Sequence, residues 1–435
     1  MNGERVGEWE VAANATHRFR YDDTWFASSL FRPLSLSLPT VIGGTVVGEA
    51  VAAYFENLLP DRDELRTAMR DRAGLASSSA FDLLAHYGRD CVGAISLLPP
   101  GEEAERPGPP RGEALDEHAV AALLRDTANA PTMASGELRL SLAGAQAKTA
   151  LTRVDGRWLR PLGLTPTTHI LKLPMGVVGG NPPVAFDASV DNEHLCALLM
   201  KALGFEVATT DIARFEDQRV LVVERFDRRR LDDGTLLRLP QEDLCQALGI
   251  PRSRKYESDG GPGMAAINGL LRFSSAGMLD QRLFLRAHLV FWLLAAPDAH
   301  AKNFSLRIEA GGSYRLAPLY DILSVYPVAG HGAGLFDPQR VRMAMAPPGT
   351  TNRHFRFREI LPRHWQAAAD ALGLPFNVGD ELQRLADEAP SVVDTVVATL
   401  PPDIHGLTVE RLTRCFVAAT RKAAEGRPLT GVFND

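Results

Sequence analysis

The chain has 435 residues, 45% of them hydrophobic and 23% charged, with a formal net charge of −6. That length can bury a large core and supports two or three domains, while the acidic balance argues against a generic nucleic-acid-binding surface. Four cysteines, Cys91, Cys196, Cys245 and Cys415, are widely scattered without CxxC spacing, so neither a zinc site nor a disulfide framework is expected and they read as reduced core thiols.

In chain order, charges interrupt every apolar stretch of the first 30 residues, which argues against a signal peptide. Alternation and periodicity predict a small α+β unit, with strands near 7–11 and 34–39 and helices near 47–58 and 81–87. A Pro/Gly-rich, charged stretch from Pro99 to Gly112 follows and reads as an exposed, extended linker. Residues 138–142 and 149–153 read as strands. Between them runs Ala143-Gly144-Ala145-Gln146-Ala147-Lys148, a small-residue turn that lets backbone N–H groups approach phosphate oxygens, or an ordinary hairpin turn. In Thr168-His169-Ile170-Leu171-Lys172, a strand buries Lys172 among apolar neighbours. A buried ammonium needs a partner. A nucleotide phosphate supplies one, as does Asp191 or Glu193 on a helix predicted over 191–203; the plain alternative is a snorkelling lysine on an edge strand.

Residues 220–223 read as a β-branched strand that ends in Glu224-Arg225-Phe226, a charged, flexible tripeptide at a linker between two lobes, with a turn of Arg228-Arg229-Arg230 and Asp232-Asp233-Gly234. Past Gln241 the pattern is mostly helical, with apolar periodicity in 241–248, 264–273, 281–296, 364–373, 381–388 and 408–423. The greasy stretch 283–296 is too short to span a bilayer and contains Arg286 and His288. The loop from Tyr256 to Gly263 is Gly-rich, but Glu257 and Asp259 make it a poor anion cradle, and it reads as a loop shaping a cleft or a peptide-docking surface.

The most informative spacing is Asp298 and Asn303 in Pro297-Asp298-Ala299-His300-Ala301-Lys302-Asn303. A carboxylate, four residues and an amide form the core of a kinase catalytic loop, where the acid accepts the proton of the attacking hydroxyl and the amide helps hold the metal. Residues 303–308 and 313–316 read as strands around Ala310-Gly311-Gly312, and this hairpin turns the chain back so that Asp321 can join the same site as second metal ligand. Taken alone, Asp321 reads as a turn or helix-cap carboxylate.

The ordered set of phosphate loop, strand lysine, helix acid, hinge strand, D-x₄-N, hairpin and aspartate resembles the HipA toxin kinases of bacterial toxin–antitoxin pairs. Ser141 to Leu151, Thr165 to Pro174, Val223 to Arg229, Arg238 to Gly263, Asp298 to Ser305 and Leu316 to Ile322 are similar to that family's signature segments, as are Pro33 to Pro39 and Phe55 to Arg62. The resemblance implies an α+β, two-lobed protein-kinase-like fold. Its parts would be an N-terminal subdomain over 1–105, a linker and connecting helix over 106–130, a β-rich N-lobe over 131–238 and a mostly helical C-lobe over 239–435. It implies ATP and Mg²⁺, with Asp298 as catalytic base and Asn303 and Asp321 on the metal. Ala143, Gly144, Ala145, Gln146, Ala147, Lys148, Lys172, Glu224, Arg225, Phe226, His300, Ala301, Lys302, Asn303, Tyr320 and Asp321 would line the ATP site, and Ser141 would be the site of autophosphorylation.

The implied partners are a HipB-like helix-turn-helix antitoxin, an aminoacyl-tRNA synthetase as protein substrate, and operator DNA reached through the antitoxin, for a cytoplasmic serine/threonine kinase with no membrane association. Two positions depart from the family pattern: Ala299 stands where glycine is usual and Ala147 where an acid is usual. The stretch 339–363 is locally arginine-rich, yet the helix that the resemblance would set against DNA reads Asp370-Ala371-Leu372-Gly373, without a cation for direct contact. Two other functions share the same core, a small-molecule phosphotransferase and a pseudokinase serving as antitoxin-bound corepressor. Intact Lys172, Asp298, Asn303 and Asp321 argue against the second, and the N-terminal unit argues against the first.

Overall fold

The computed structural model describes residues 1–129, 146–178, 183–332, 334–348 and 353–433. Its elements run β1 (Gly7–Val11), β2 (His17–Tyr21), α1 (Asp23–Phe26), β3 (Thr45–Val47), α2 (Glu49–Glu56), α3 (Asp63–Ala73), α4 (Ala80–Tyr87), β4 (Gly112–Leu115) and α5 (Glu117–Asn129). There follow β5 (Lys148–Val154), β6 (Arg157–Pro161), β7 (His169–Lys172), β8 (Val177–Val178), β9 (Val184–Ala185), α6 (Ser189–Ala202), β10 (Thr210–Phe215), β11 (Gln218–Glu224), β12 (Arg228–Arg230) and β13 (Leu236–Arg238). The chain closes with β14 (Gln241–Asp243), α7 (Leu244–Ala247), α8 (Met264–Leu271), α9 (Gly277–Leu293), β15 (Ser305–Ile308), β16 (Tyr314–Leu316), α10 (Pro362–Ala371), α11 (Val378–Val397) and α12 (Gly406–Ala424). Two compact units interleave along the sequence. One takes Met1–Leu173, Ala213–Lys255 and Ser305–Ala317; the other takes Pro174–Ile212, Tyr256–Phe304 and Pro318–Asp435.

In the first unit a six-stranded sheet has the order β10-β11-β7-β5-β6-β4. Side chains alternate along its strands. Leu151, Leu171, Leu173, Val220 and Val222 form one core with Val120, Leu123 and Leu124 of α5. Residues one step out of phase, Lys148, Ile170 and Lys172, therefore belong to the opposite face. A second core, built on Trp25, Phe55, Leu58, Leu59 and Tyr87, holds the N-terminal region together.

Residues 34–39 do not form a strand, contrary to the alternation of leucine and serine. Among the described residues they make only an isolated bridge, Ser35 to Leu38. The alternation serves another purpose: the Ser35 and Ser37 hydroxyls donate to the Gln246 carbonyl of α7 (3.3 and 2.6 Å), and Leu36 N–H donates to Glu242 Oε1 (2.9 Å). The helical window 241–248 is likewise part strand. Gln241 to Asp243 pair with Arg307 to Ser305, and α7 begins only after Asp243, which caps it reciprocally with Gln246.

Glu242 is fully buried, and burial pushes its carboxyl up to about 8 against the hydrogen bonds from Ser35 and Leu36. The folded pKa lies above the ordinary value of 4.5. The folded state therefore keeps a proton that the unfolded chain releases, and stability falls as pH rises from the unfolded value through the folded one. Glu242→Gln should flatten this dependence between pH 5 and 8 by on the order of 1 kcal/mol per pH unit. Urea unfolding midpoints across that range measure it; parallel slopes for the two proteins would contradict a protonated Glu242.

Of the turn expected after β11, the arginines are instead strand β12, paired with β13, and the turn itself falls on Asp232-Asp233-Gly234, where Gly234 N–H donates to the Leu231 carbonyl (3.0 Å). Nor is the tripeptide before β12 loose. Arg225, Arg228 and Arg238 converge with Asp90 and Asp227 in a buried cluster. Asp90 Oδ1 accepts from Arg228 Nη2 (2.9 Å) and Arg238 Nε (3.1 Å), while Oδ2 accepts from Thr167 Oγ1 (2.6 Å) and N–H (3.0 Å) and lies 3.3 Å from Arg225 Nη1. Asp227 lies 2.8 Å from Arg225 and 2.9 Å from Arg228, and accepts from Gly93 N–H at 2.7 Å. Burial alone would raise the Asp90 carboxyl, but the Arg228, Arg238 and Arg225 guanidiniums outweigh it and hold the group far below the usual range.

In the second unit α9 is buried on nearly every face, from Phe284 to Leu293, which suits a central helix. Its arginine is accommodated: Arg286 donates to Glu381 Oε1 (2.6 Å) and the Leu203 carbonyl (2.8 Å), and lies over the Phe205 ring (4.3 Å). α11 is far longer than the 381–388 window, because it continues through Pro390 despite the lost N–H. No helix among the described residues is long and apolar enough to cross a membrane.

Candidate active site

The second unit carries the D-x₄-N segment. α9 ends at Leu293, Ala295 adopts a left-handed φ of 46°, and its carbonyl accepts from Val325 N–H (2.9 Å). The loop that follows is folded by its own residues. The Asp298 carbonyl accepts from Asn303 Nδ2 (2.7 Å) and His300 N–H (2.9 Å), and Ala301 to Asn303 form one 3₁₀ turn. The Asp298 side chain is 55% exposed. His300 is buried with its Nε2 3.9 Å from Asp298 Oδ1. Ala299, the departure from glycine, is buried and is not among the non-glycine residues with positive φ, so alanine fits this loop without backbone strain. Behind the loop His288 stacks on Phe304 (5.0 Å). Burial pushes its imidazole down to about 4, which leaves it neutral at physiological pH and unfit to donate a proton there.

Asp321 is brought to the same unit by anchors on both sides. Tyr320 hydroxyl donates to the Lys302 carbonyl (2.9 Å), and Leu319 exchanges backbone hydrogen bonds with Glu206 and Ala208 (2.9 and 2.8 Å). Ser324 exchanges bonds with the Asn192 side chain (2.9 and 2.8 Å) and donates to the Leu294 carbonyl (2.6 Å). Between these anchors Asp321 takes φ 60°, a left-handed conformation that aspartate tolerates better than most residues. Strain held by flanking bonds is a mark of functional positions. The hairpin β15–β16 closes as expected, with Ala317 N–H donating to the Ser305 carbonyl (2.8 Å). Its first strand starts at Ser305 rather than 303 because the 3₁₀ turn uses the preceding residues.

Among the described residues no group of three or more His, Cys, Asp or Glu could hold a metal. Mg²⁺ does not need one: it keeps several waters and takes one or two protein oxygens plus phosphate oxygens. Asn303, with its nitrogen committed to the Asp298 carbonyl, and Asp321 are hard oxygen donors of that kind.

Sequence reasoning missed Tyr256. Its hydroxyl donates to Asp298 Oδ1 at 2.7 Å, and its ring meets the His300 ring edge-on at 4.9 Å. The same loop is tied down by Glu257, one of the two acids that make it a poor anion cradle. Glu257 accepts from Ala346 N–H (2.8 Å) and pairs with Arg353, while its N–H donates to the Ala344 carbonyl (3.3 Å). Ala344 N–H in turn donates to the Pro297 carbonyl (2.9 Å). No motif spacing links residue 256 to 298; only the aromatic hydroxyl in an otherwise Gly-rich, acidic loop hinted at it.

The first unit carries the remaining predicted residues. Lys172 lies on β7, an interior strand flanked by β11 and β5, which rules out the edge-strand alternative. In the register Lys148 stands directly opposite Lys172, so two ammonium groups share one face of the sheet. Gln146 Nε2 donates to the Leu173 carbonyl (2.6 Å), and the Ala147 carbonyl accepts from Leu173 N–H (3.0 Å). Glu224 ends β11, exposed. Arg225, by contrast, gives its side chain to the Asp90–Asp227 cluster and its backbone N–H to the Thr168 carbonyl (2.9 Å), so neither is left for adenine. Phe226 is half-buried with Arg307 5.9 Å from its ring centre. Ser141, Ala143, Gly144 and Ala145 lie outside the described residues.

The family profile for the HipA-like C-terminal domain matches residues 140–400, and that for the HipA N-terminal domain matches 1–98. The chain belongs to the HipA family. This HipA-family chain is 36% identical over 334 residues to the Y4mE protein of Sinorhizobium fredii, covering 75% of this chain and 77% of that one. It is 29% identical over 418 residues to the serine/threonine-protein kinase toxin HipA of Shewanella oneidensis, covering 91% and 88%. The solved structure of the Shewanella oneidensis HipA, HipB and operator DNA complex matches with a TM-score of 0.79 at 26% identity, over 99% of this chain and 97% of that one. The fold is therefore the α+β kinase-like fold of HipA, and the chain is a HipA-type kinase.

Proposed function

We propose that this chain is an ATP- and Mg²⁺-dependent serine/threonine protein kinase toxin, neutralised by a HipB-like helix-turn-helix antitoxin. The observation that carries the reading is the Asn303–Asp298 bond: one amide folds the loop that presents the exposed carboxylate. Asp298 would accept the proton of the acceptor hydroxyl, an act that fits its exposure. Asn303 and Asp321 would hold Mg²⁺, which when bound neutralises charge on the phosphates. Lys148 and Lys172 would meet phosphate oxygens from one sheet face, with Gln146, Ala147 and the turn before them alongside. Glu224, Phe226, His300, Ala301, Lys302 and Tyr320 would complete the ATP site, and Ser141 would take phosphate from the chain's own activity. The protein acceptor proposed is an aminoacyl-tRNA synthetase, such as the glutamyl enzyme, in the cytoplasm, with operator DNA reached through the antitoxin.

Expression of the chain should arrest growth, co-expression of the antitoxin should relieve the arrest, and γ-labelled ATP should label serine or threonine in the synthetase. Arrest without any labelled protein would overturn the reading. Asn303→Ala and Asp321→Ala should each weaken Mg-ATP binding by about tenfold or more, since each removes an oxygen ligand. Calorimetry with and without Mg²⁺ checks this, and parental affinity in both variants would move the metal elsewhere.

A further inference from the structure

The Asp298 backbone and side chain are held by different parts of the chain. Its carbonyl is fixed from within the loop by Asn303 and His300, at 2.7 and 2.9 Å. Its carboxylate is more than half exposed, and an exposed carboxylate turns about its terminal torsion at little cost. What meets that carboxylate is the Tyr256 hydroxyl, 2.7 Å from Oδ1. Tyr256 is itself set in place. Its carbonyl accepts from Gly261 N–H (2.9 Å) and Asp259 N–H (3.1 Å), its ring packs edge-on against buried His300, and Glu257 binds the 344–346 segment that also holds Pro297.

We infer that Tyr256 is a positioning residue for phosphoryl transfer, which aims the Asp298 carboxylate by occupying Oδ1 and so leaves Oδ2 directed at the acceptor hydroxyl. The inference rests on Asp298 being the catalytic base. A carboxylate oxygen has two lone-pair sites, so a donor on Oδ1 does not stop the group from accepting a proton. It removes rotational freedom that would otherwise be lost in reaching the transition state. A hydrogen bond to a charged group is strong enough for its loss to cost about tenfold in rate.

The test compares wild type, Tyr256→Phe, Asp298→Asn and the double variant, following transfer from γ-labelled ATP with Mg²⁺ to the chain itself and to water. Phenylalanine keeps the ring against His300 and removes only the hydroxyl. Tyr256→Phe should lower kcat about tenfold with the KM for ATP unchanged, and should lower the residual rate of Asp298→Asn no further, because the hydroxyl acts only through the carboxylate. The ¹³Cζ resonance of Tyr256 should also move upfield in Asp298→Asn, which a tyrosine serving only as packing would not show. A wild-type or raised kcat in Tyr256→Phe, an equal fall in the Asp298→Asn background, or an unmoved resonance overturns the inference. Failure of the base assignment registers separately, as wild-type transfer by Asp298→Asn alone.

Discussion

Asp298→Asn is expected to abolish phosphoryl transfer while leaving the fold and nucleotide binding close to wild type. The amide has the shape of the carboxylate and can still accept from Tyr256, but it cannot take the proton of an attacking hydroxyl. The loop contacts that define its backbone, Asn303 Nδ2 and His300 N–H on the Asp298 carbonyl, do not involve the substituted atoms. General-base catalysis contributes about 10²–10⁴-fold, so label transfer from ATP should drop by at least that, and growth should recover in cells expressing the variant. Transfer near the parental rate would show that Asp298 is not the base. A matching loss of Mg-ATP affinity would place it on the nucleotide rather than the acceptor.

The largest effect on stability is expected at Asp90, far from the chemistry in sequence. Three guanidiniums and two carboxylates are buried together, and Asp90 pairs with all three arginines. Asp90→Ala leaves Arg225, Arg228 and Arg238 with Asp227 as the one remaining carboxylate of the cluster. Removing one partner of a buried pair costs about 3–5 kcal/mol, and Thr167 also loses its acceptor. The variant should unfold at much lower urea concentration than wild type or accumulate as insoluble chain. Glu410→Ala, which breaks the exposed pair with Arg414, is the control and should leave the midpoint nearly unmoved. Equal midpoints for Asp90→Ala and wild type would mean that the cluster rearranges around the loss.

Much of this organisation was legible in the sequence where local rules dominate. The hairpin β15–β16, Lys172 on a strand, and helices within the windows 264–273 and 281–296, seen as Met264–Leu271 and Gly277–Leu293, follow from alternation, glycine pairs and period. What failed did so for nonlocal reasons. Leu34 to Leu38 alternate like a strand, yet Ser35 and Ser37 use their hydroxyls on the Gln246 carbonyl, 209 to 211 residues away. Gln241 to Asp243 share the apolar period of a helix but are drawn into pairing by β15. Arg225 looked like a flexible charge because its counterions, Asp90 and Asp227, include one that is 135 residues upstream. The Tyr256–Asp298 bond was invisible for the same reason.

The interleaving of the two units bears on synthesis. Chains generally fold domain by domain as they emerge, N-terminal part first. Here β14 finds its partner β15 only when residues 305–307 exist, and the first unit is not complete until Ala317. The loop that steadies Asp298 waits longer still, because Pro297 and Glu257 bind Ala344. A nascent chain stopped between residues 303 and 344 has the D-x₄-N residues and the bonds they make to one another but not the Ala344 contacts that brace them, so the ribosome must deliver more than three quarters of the polypeptide before that bracing can form.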